Sequence, residues 1–491
     1  MLSKLAIHTS TLLRNPTFSN SFWGVLAQVS QSVFLSLFFV IIAREYPTHE
    51  FANYIIANAL YQLIIAFSTL GLSQWFIREI PYVTDKVDLT NKFFKIQLIL
   101  GILFYVINIF FAYLVYDDPA IHFLAIILGI NIVFDNLINA IKSINIAMLE
   151  QRKTFIILTI ESFLKFLVSC FLLIHVFSIT ILVITLLVIR FLSLNLFLAY
   201  GSSDIIHLKS LHKYKIIPQD FKKIIFANWP FIVIGGVAMF NWRISTIIIS
   251  KALTSTDLAN YEISYKLFSI AQILPVIVSS SVYPSLIKFY REKNYAKLKS
   301  FYAKFHTYYL LFGLLAYTFI YSFADFLLPF AFGPTYAGNA VYSKQMFLTI
   351  LIFPTALLQA NMLIAMKMEK TDMLFNCIIL FVNVTLCIIG LHFMKSLAIV
   401  NFSIFIAFVI FRICQDILLF RKKILTFNNI AAFYIISLAT VLTTTQLSTL
   451  AGPFLTFLFY WAAIAIYYYI KYKFKAGSKS KLLPDHNPDP K

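Results

Sequence analysis

Charge is what this chain has least of. Only 12% of its 491 residues are Asp, Glu, Lys or Arg, about half the share found in a soluble globular protein. That leaves too little polar surface to face water on every side, which excludes a string of soluble domains. Cysteine is also scarce. Cys170, Cys377, Cys387 and Cys414 all lie in apolar stretches, with neither CxxC nor metal-ligand spacing, so they read as small hydrophobic residues. No Gly/Ser/Pro-rich linker interrupts the chain before its C-terminal tail, so the apolar part is one continuous unit. The sequence also lacks a GxxxxGK[ST] phosphate loop, an HExxH pair and a nucleophile elbow, the local motifs of ATP hydrolysis, zinc peptidases and α/β-hydrolases. Residues 1–20 have no apolar core followed by a small-residue cleavage site, so the first apolar span is expected to stay in the membrane.

What is abundant is apolar: 60% hydrophobic residues and a mean hydropathy of +0.82. A helix needs about 20 mostly apolar residues to cross a bilayer. Divided at charged clusters and Gly/Pro turns, the chain predicts an all-α integral membrane protein of about fourteen spans. These are 20–43, 51–72, 96–116, 120–149, 154–176, 178–200, 224–250, 258–287, 305–330, 345–366, 371–391, 396–420, 429–447 and 451–470. The runs are too long and too evenly apolar for the alternating ten-residue strands of a membrane barrel.

The basic residues test that division, because Lys and Arg collect on the cytoplasmic side. With the N-terminus inside, the inner segments hold 31 of the 40 basic residues, including all four within 412–423. The outer turns hold four, Arg44, Lys251, Lys344 and Lys395. Lys142, Lys165, Arg190, Arg243 and Lys266 fall within spans. A helix missed midway would exchange the two sides beyond it and destroy this asymmetry. The net charge of +19 therefore reads as topology and contact with membrane lipid, with no nucleic-acid partner.

Residues 44–63 and 251–270 align at an offset of 207. Arg44 falls on Lys251, Glu50 on Asp257, and Ala52-Asn53-Tyr54 on Ala259-Asn260-Tyr261. The two segments are six spans apart. An even number of spans preserves orientation, so the halves are expected to be related by an axis along the membrane normal, with a substrate site between them. The predicted organisation is a six-helix bundle over 1–200, a cytoplasmic linker at 201–223, a second bundle over 224–420, two extra helices over 421–472, and a disordered basic tail, 473–491.

Intramembrane polar residues mark pathways or partners. Asn131, Asp135, Asn139 and Lys142 form one stripe on the fourth span, and Glu161 and Lys165 an i,i+4 pair on the fifth. Arg190 lies on the sixth. In the second half Glu262 and Lys266 form another i,i+4 pair, while Arg243 has no acidic neighbour on its own helix. Gln28, Gln31, Asn58 and Gln62 add uncharged polar groups. Five cations against few buried anions predict a cavity of positive potential, suited to an anionic substrate such as a pyrophosphate. Trp229, Trp242, Tyr61 and Tyr265 are ordinary packing aromatics or platforms for sugar rings.

The chain resembles the polysaccharide flippases (Wzx-type O-antigen transporters) of the multidrug/oligosaccharidyl-lipid/polysaccharide exporter superfamily, whose fold is MATE-like. The matching stretches are Asn20-Ser21-Phe22-Trp23, Gln28 and Gln31, Ile42-Ala43-Arg44, Glu50 through Tyr54, Gly71-Leu72, and Arg78-Glu79-Ile80. In the second half they are Ala259-Asn260-Tyr261, Leu274-Pro275 and Tyr283-Pro284-Ser285. The resemblance implies a non-enzymatic flippase in the bacterial inner membrane, both termini cytoplasmic. It would move an undecaprenyl-diphosphate-linked oligosaccharide outward by alternating access. It implies no cofactor, coupling to a proton or sodium gradient, and association with a polysaccharide polymerase and chain-length partners. Cationic cavity residues map onto Arg243 and Lys266. Many relatives have an acidic residue near Arg243, which leaves Glu262, Asp135 and Glu161 as coupling candidates. Arg44 and Arg78 would serve at gates or turns. A lipid II flippase, a multidrug exporter of the same superfamily, and a membrane-embedded polymerase or glycosyltransferase are the alternative readings.

Overall fold

The computed structural model describes residues 16–201, 205–206, 208–214 and 218–480. Lys4, Arg14 and residues 481–491 lie outside the described residues. In the first half the helices are α1 (Pro16–Glu45), α2 (Thr48–Ser68), the short α3 (Leu72–Glu79), α4 (Lys86–Val115), α5 (Pro119–Ala147), α6 (Gln151–Ile174) and α7 (Ile179–Tyr200). The second half runs α8 (Pro218–Ala252), α9 (Ser255–Arg291), α10 (Tyr295–Phe332), α11 (Ala340–Met346), α12 (Phe353–Ala365), α13 (Glu369–Phe393) and α14 (Leu397–Arg421). α15 (Phe427–Ala451) and α16 (Pro453–Ser480) follow. No strand occurs among the described residues.

Twelve segments among the described residues are long and apolar enough to cross a membrane, with 334–365 counted as one. α8, of 35 residues, and α16, of 28, complete fourteen. Local chemistry sets many of the boundaries. Asp85, Asp118, Ser178, Ser396 and Thr426 each accept a backbone N–H at a helix start, satisfying donors that the first turn leaves unpaired. Thr254 and Asp257 close a reciprocal capping box at the head of α9.

The expected tenth span is not one helix. Residues 345–366 hold the end of α11, a 3₁₀ turn (Thr349–Leu351) and α12, and a further 3₁₀ turn (Pro334–Asn339) precedes α11. Pro334 and Pro354 open two of these pieces, because proline lacks the N–H that a continuous helix needs. Helix α3, after the second span, is also new to the structure. α16 runs to Ser480, ten residues past the expected end of its span.

The two halves repeat one packing scheme. In the first, α1 packs on α6, α4 and α2 on α5, and α5 and α6 on α7. In the second, α8 packs on α13, α10 and α9 on the α11–α12 segment, and that segment and α13 on α14. The turns repeat as well. Leu149 and Lys367 both have left-handed φ, 61° and 59°. Each is followed by a six-residue closure, Glu150 N–H to Asn145 O and Met368 N–H to Leu363 O, the Schellman pattern. The halves meet through α1 and α2 on one side and α8, α9 and α10 on the other. Gly236 of α8 makes this approach possible: a Cβ there would stand 2.3 Å from the Phe67 ring of α2. α15 and α16 pack on each other and on α10, with Trp461 donating to Thr318 at 3.0 Å.

Candidate functional site

The predicted polar residues separate into two ionic clusters and a cavity. In the first half, α5, α6 and α7 bring Asp135, Glu161 and Arg190 together. Arg190 Nε donates to Asp135 Oδ1 at 2.7 Å, and its Nη1 reaches both Glu161 oxygens at 2.6 and 2.7 Å. Lys165 and Ser193 also donate to Glu161, at 2.6 and 2.7 Å. Tyr61 of α2 donates to Asp135. Glu161 is 2% exposed, so these bonds replace the water that the carboxylate has lost. Lys142 lies farther along the stripe, with Asn139 Oδ1 at 3.3 Å, and Asn131 is buried.

In the second half Arg243 does have an acidic partner, supplied by the neighbouring helix: Nη1 lies 3.2 Å from Glu262 Oε2. Thr246 donates to the same carboxylate at 2.5 Å, and the guanidinium lies over Tyr265, 4.8 Å from its centroid. The expected Glu262–Lys266 pair is not formed. Glu262 is turned to α8, and Lys266 Nζ lies 5.5 Å from the Phe39 ring of α1. The expected balance of five cations against few buried anions, and with it the cavity of positive potential, is corrected accordingly. Lys165, Arg190 and Arg243 share three carboxylates, and only Lys142 and Lys266 lack a carboxylate partner among the described residues.

Lys266 borders a cavity of about 300 Å³ between α1 and α9, at the junction of the halves. Gln28, Gln31, Ser32 and Ser36 line it from α1, and Ser269 and Gln272 join Lys266 on α9. Gln272 Nε2 is buried without a hydrogen-bond partner. One cation among six neutral amides and hydroxyls suits a ligand rich in hydroxyl groups with an anionic group beside them. Asn58 and Gln62 are half-buried on α2, which packs on α8 and α9. Arg44 and Arg78 are exposed at opposite ends of the bundle, beside Glu45 and Glu79. Of the aromatics, Trp242 is enclosed by Tyr265, Phe268, Phe353 and Phe408, while Trp229 is exposed.

Sequence reasoning places Arg412 in an inner loop; the structure puts it on α14 with no exposure at all. Its Nε lies 3.1 Å from Asp416, its Nη2 2.9 Å from His306 Nε2, and its guanidinium over Phe433. Gln359 and Tyr434 complete Asp416 at 2.7 and 3.0 Å. The i,i+4 spacing of Arg412 and Asp416 inside an apolar run is the signal for it. His306 also borders a cavity of about 500 Å³ between α10, α15 and α16.

Residues 18–290, more than half of the chain, match the profile of the family described as polysaccharide biosynthesis protein. The chain belongs to that family. Among solved structures, this polysaccharide biosynthesis protein is similar to an inward-facing multidrug-resistance MATE transporter of the MOP superfamily. The identity is 14% and the TM-score 0.66, over 82% of this chain and 98% of the other. An outward-facing MATE transporter gives 14% and 0.57, over 84% and 97%. A MOP-superfamily transporter from Pyrococcus furiosus, described as having a binding pocket of reversed polarity, gives the same values. No curated protein sequence matches. Likeness at this identity establishes a MATE-like fold. Together with the family, it identifies a multi-pass membrane transporter of the flippase type.

Proposed function

We propose that this protein flips a polyprenyl-diphosphate-linked oligosaccharide from the cytoplasmic to the outer face of a bacterial inner membrane. The observation that carries the reading is the cavity between the halves, where Lys266 stands without a carboxylate among Gln28, Gln31, Ser32, Ser36, Ser269 and Gln272. The amides and hydroxyls match the alternating donors and acceptors of a sugar. The ammonium matches a phosphate or a sugar carboxylate. The isoprenoid chain stays in the lipid while the head group passes through. A proton or sodium gradient drives the cycle through Asp135, Glu161 or Glu262. Each is held by an arginine, so a coupling ion must compete with that arginine for its carboxylate.

Deletion of the gene tests this reading. Surface polysaccharide should be lost while lipid-linked repeat units accumulate on the cytoplasmic face. Normal polysaccharide with altered drug resistance would overturn it in favour of a multidrug exporter.

A further inference from the structure

The internal repeat has a counterpart where the two halves touch. Arg44 and Lys251, aligned at the 207-residue offset, occupy the last turns of α1 and α8, the first helix of each half. Each reaches the turn between the third and fourth spans of the opposite half. Lys251 Nζ lies 4.4 Å from the centroid of the Tyr116 ring, where α4 passes into α5. Arg44 lies over Gly333, where α10 passes into the 334–365 segment, its Cγ 3.8 Å from where a Cβ would stand. Gly333 has φ +95°, a conformation open to glycine and strained for other residues.

Neighbouring contacts reinforce both arms. Tyr116 Oη and Ser250 Oγ are hydrogen-bonded at 2.5 Å, and the Phe39 and Phe332 rings meet edge to face at 6.5 Å. Tyr116 is held from behind by His122, whose Nε2 lies 2.6 Å from its carbonyl oxygen. Tyr113 stacks on that imidazole at 4.0 Å. Although it lies at a turn, Tyr116 is 5% exposed. Burial pushes its hydroxyl up to about 12, so it stays protonated across the physiological range. The cavity lies deeper: Lys266 and Ser269 follow the head of α9 by three to four helical turns.

We propose that Arg44 and Lys251 are the two arms of a pseudo-two-fold latch that closes the basic-poor face over the cavity. Each arm crosses to the other half, so neither half can tilt away from that face until both arms let go. The contacts differ in kind, an ammonium over the Tyr116 ring and an aliphatic stem beside Gly333, but residues aligned by a parallel repeat each reach the matching turn of the opposite half, the arrangement in which one rocking motion releases both together. The inference rests on the transporter reading, and it names the contacts that hold the closed state of that same cavity.

The test places Ser269→Cys in the full chain and reads its labelling by a membrane-impermeant maleimide. Both faces are read, in intact cells and in inverted vesicles, with the chain lacking the added cysteine as the blank. Lys251→Met and Arg44→Ala should each raise labelling from the basic-poor face about fivefold, the scale of one cation–π or packing contact. The double variant should raise it further, and Lys251→Arg should stay near the parent. Labelling from that face at parental levels in both single variants would overturn the latch. Tyr116→Leu, which removes the ring under Lys251 and leaves both cations in place, gives a second reading independent of the charge removals. It should raise labelling from the basic-poor face as Lys251→Met does; parental labelling there overturns the proposal. Neither readout needs a substrate. Latch results can therefore fail while export of lipid-linked sugar stands, and the reverse.

Discussion

The two halves share a packing scheme and use their intramembrane charges differently. In the first half Arg190 is locked between Asp135 and Glu161, with Lys165, Ser193 and Tyr61 around them. Every carboxylate there is consumed in joining helices. In the second half Arg243 ties Glu262 to α8, and Lys266, one turn along α9, faces the cavity without a carboxylate. The difference teaches that a charge inside the membrane is informative by what it lacks. A cation saturated by carboxylates builds the bundle, and a cation left over is available to a ligand.

The largest effect should come from breaking the saturated side. Arg190→Met leaves Asp135 and Glu161 buried without their arginine and should cost about 4 kcal/mol of stability, since removing one partner strands the other's charge. Thermal unfolding in detergent and protein abundance in the membrane report it, and a variant as stable as the parent would contradict the comparison. Asp416→Ala should cost about 3 kcal/mol for the same reason. It strands Arg412, which has no exposure, and removes the acceptor that ties Tyr434 of α15 to α14. Protease sensitivity of α15 should rise with it. Arg243→Met should cost less, about 2 kcal/mol, because it strands one carboxylate where Arg190→Met strands two. Equal losses at Arg190 and Arg243 would erase the distinction between the halves. Lys266→Met should change stability by less than about 0.5 kcal/mol, since no carboxylate depends on it; a loss near that of Arg190→Met would show a structural pairing.

Most of the fold is legible in the sequence, because a bilayer imposes long apolar runs and sorts basic residues by side. The repeat was legible for a similar reason: Arg44 and Lys251, and the two Ala-Asn-Tyr stretches, stand where apolar chance gives no explanation. The break within 345–366 was hidden, since hydropathy does not distinguish a helix from a 3₁₀ turn, and Pro354 was the mark inside it. Interhelical pairing was hidden too. The i,i+4 rule sees one helix, and so assigned Glu262 to Lys266 when α8 supplies Arg243. Glu161 accepts its own-helix Lys165 and also Arg190 from α7. Arg412 stood close enough to the basic run 421–423 to be read as loop, although Asp416 one turn later marked a buried pair. What these cases share is that a side chain's partner on another helix is set by packing, which the linear pattern does not record.

The central claim is that the unpaired cation at the junction of the halves handles the substrate. The most direct test reconstitutes the protein in liposomes and measures movement of a polyprenyl-diphosphate-linked oligosaccharide across the bilayer, comparing the parent with Lys266→Met and Lys266→Arg. The account predicts at least a roughly tenfold slower rate for Lys266→Met, the factor given by about 1.4 kcal/mol of lost interaction, at unchanged thermal stability, with a substantial part retained by Lys266→Arg. A Lys266→Met protein that moves the substrate at the parental rate would contradict it.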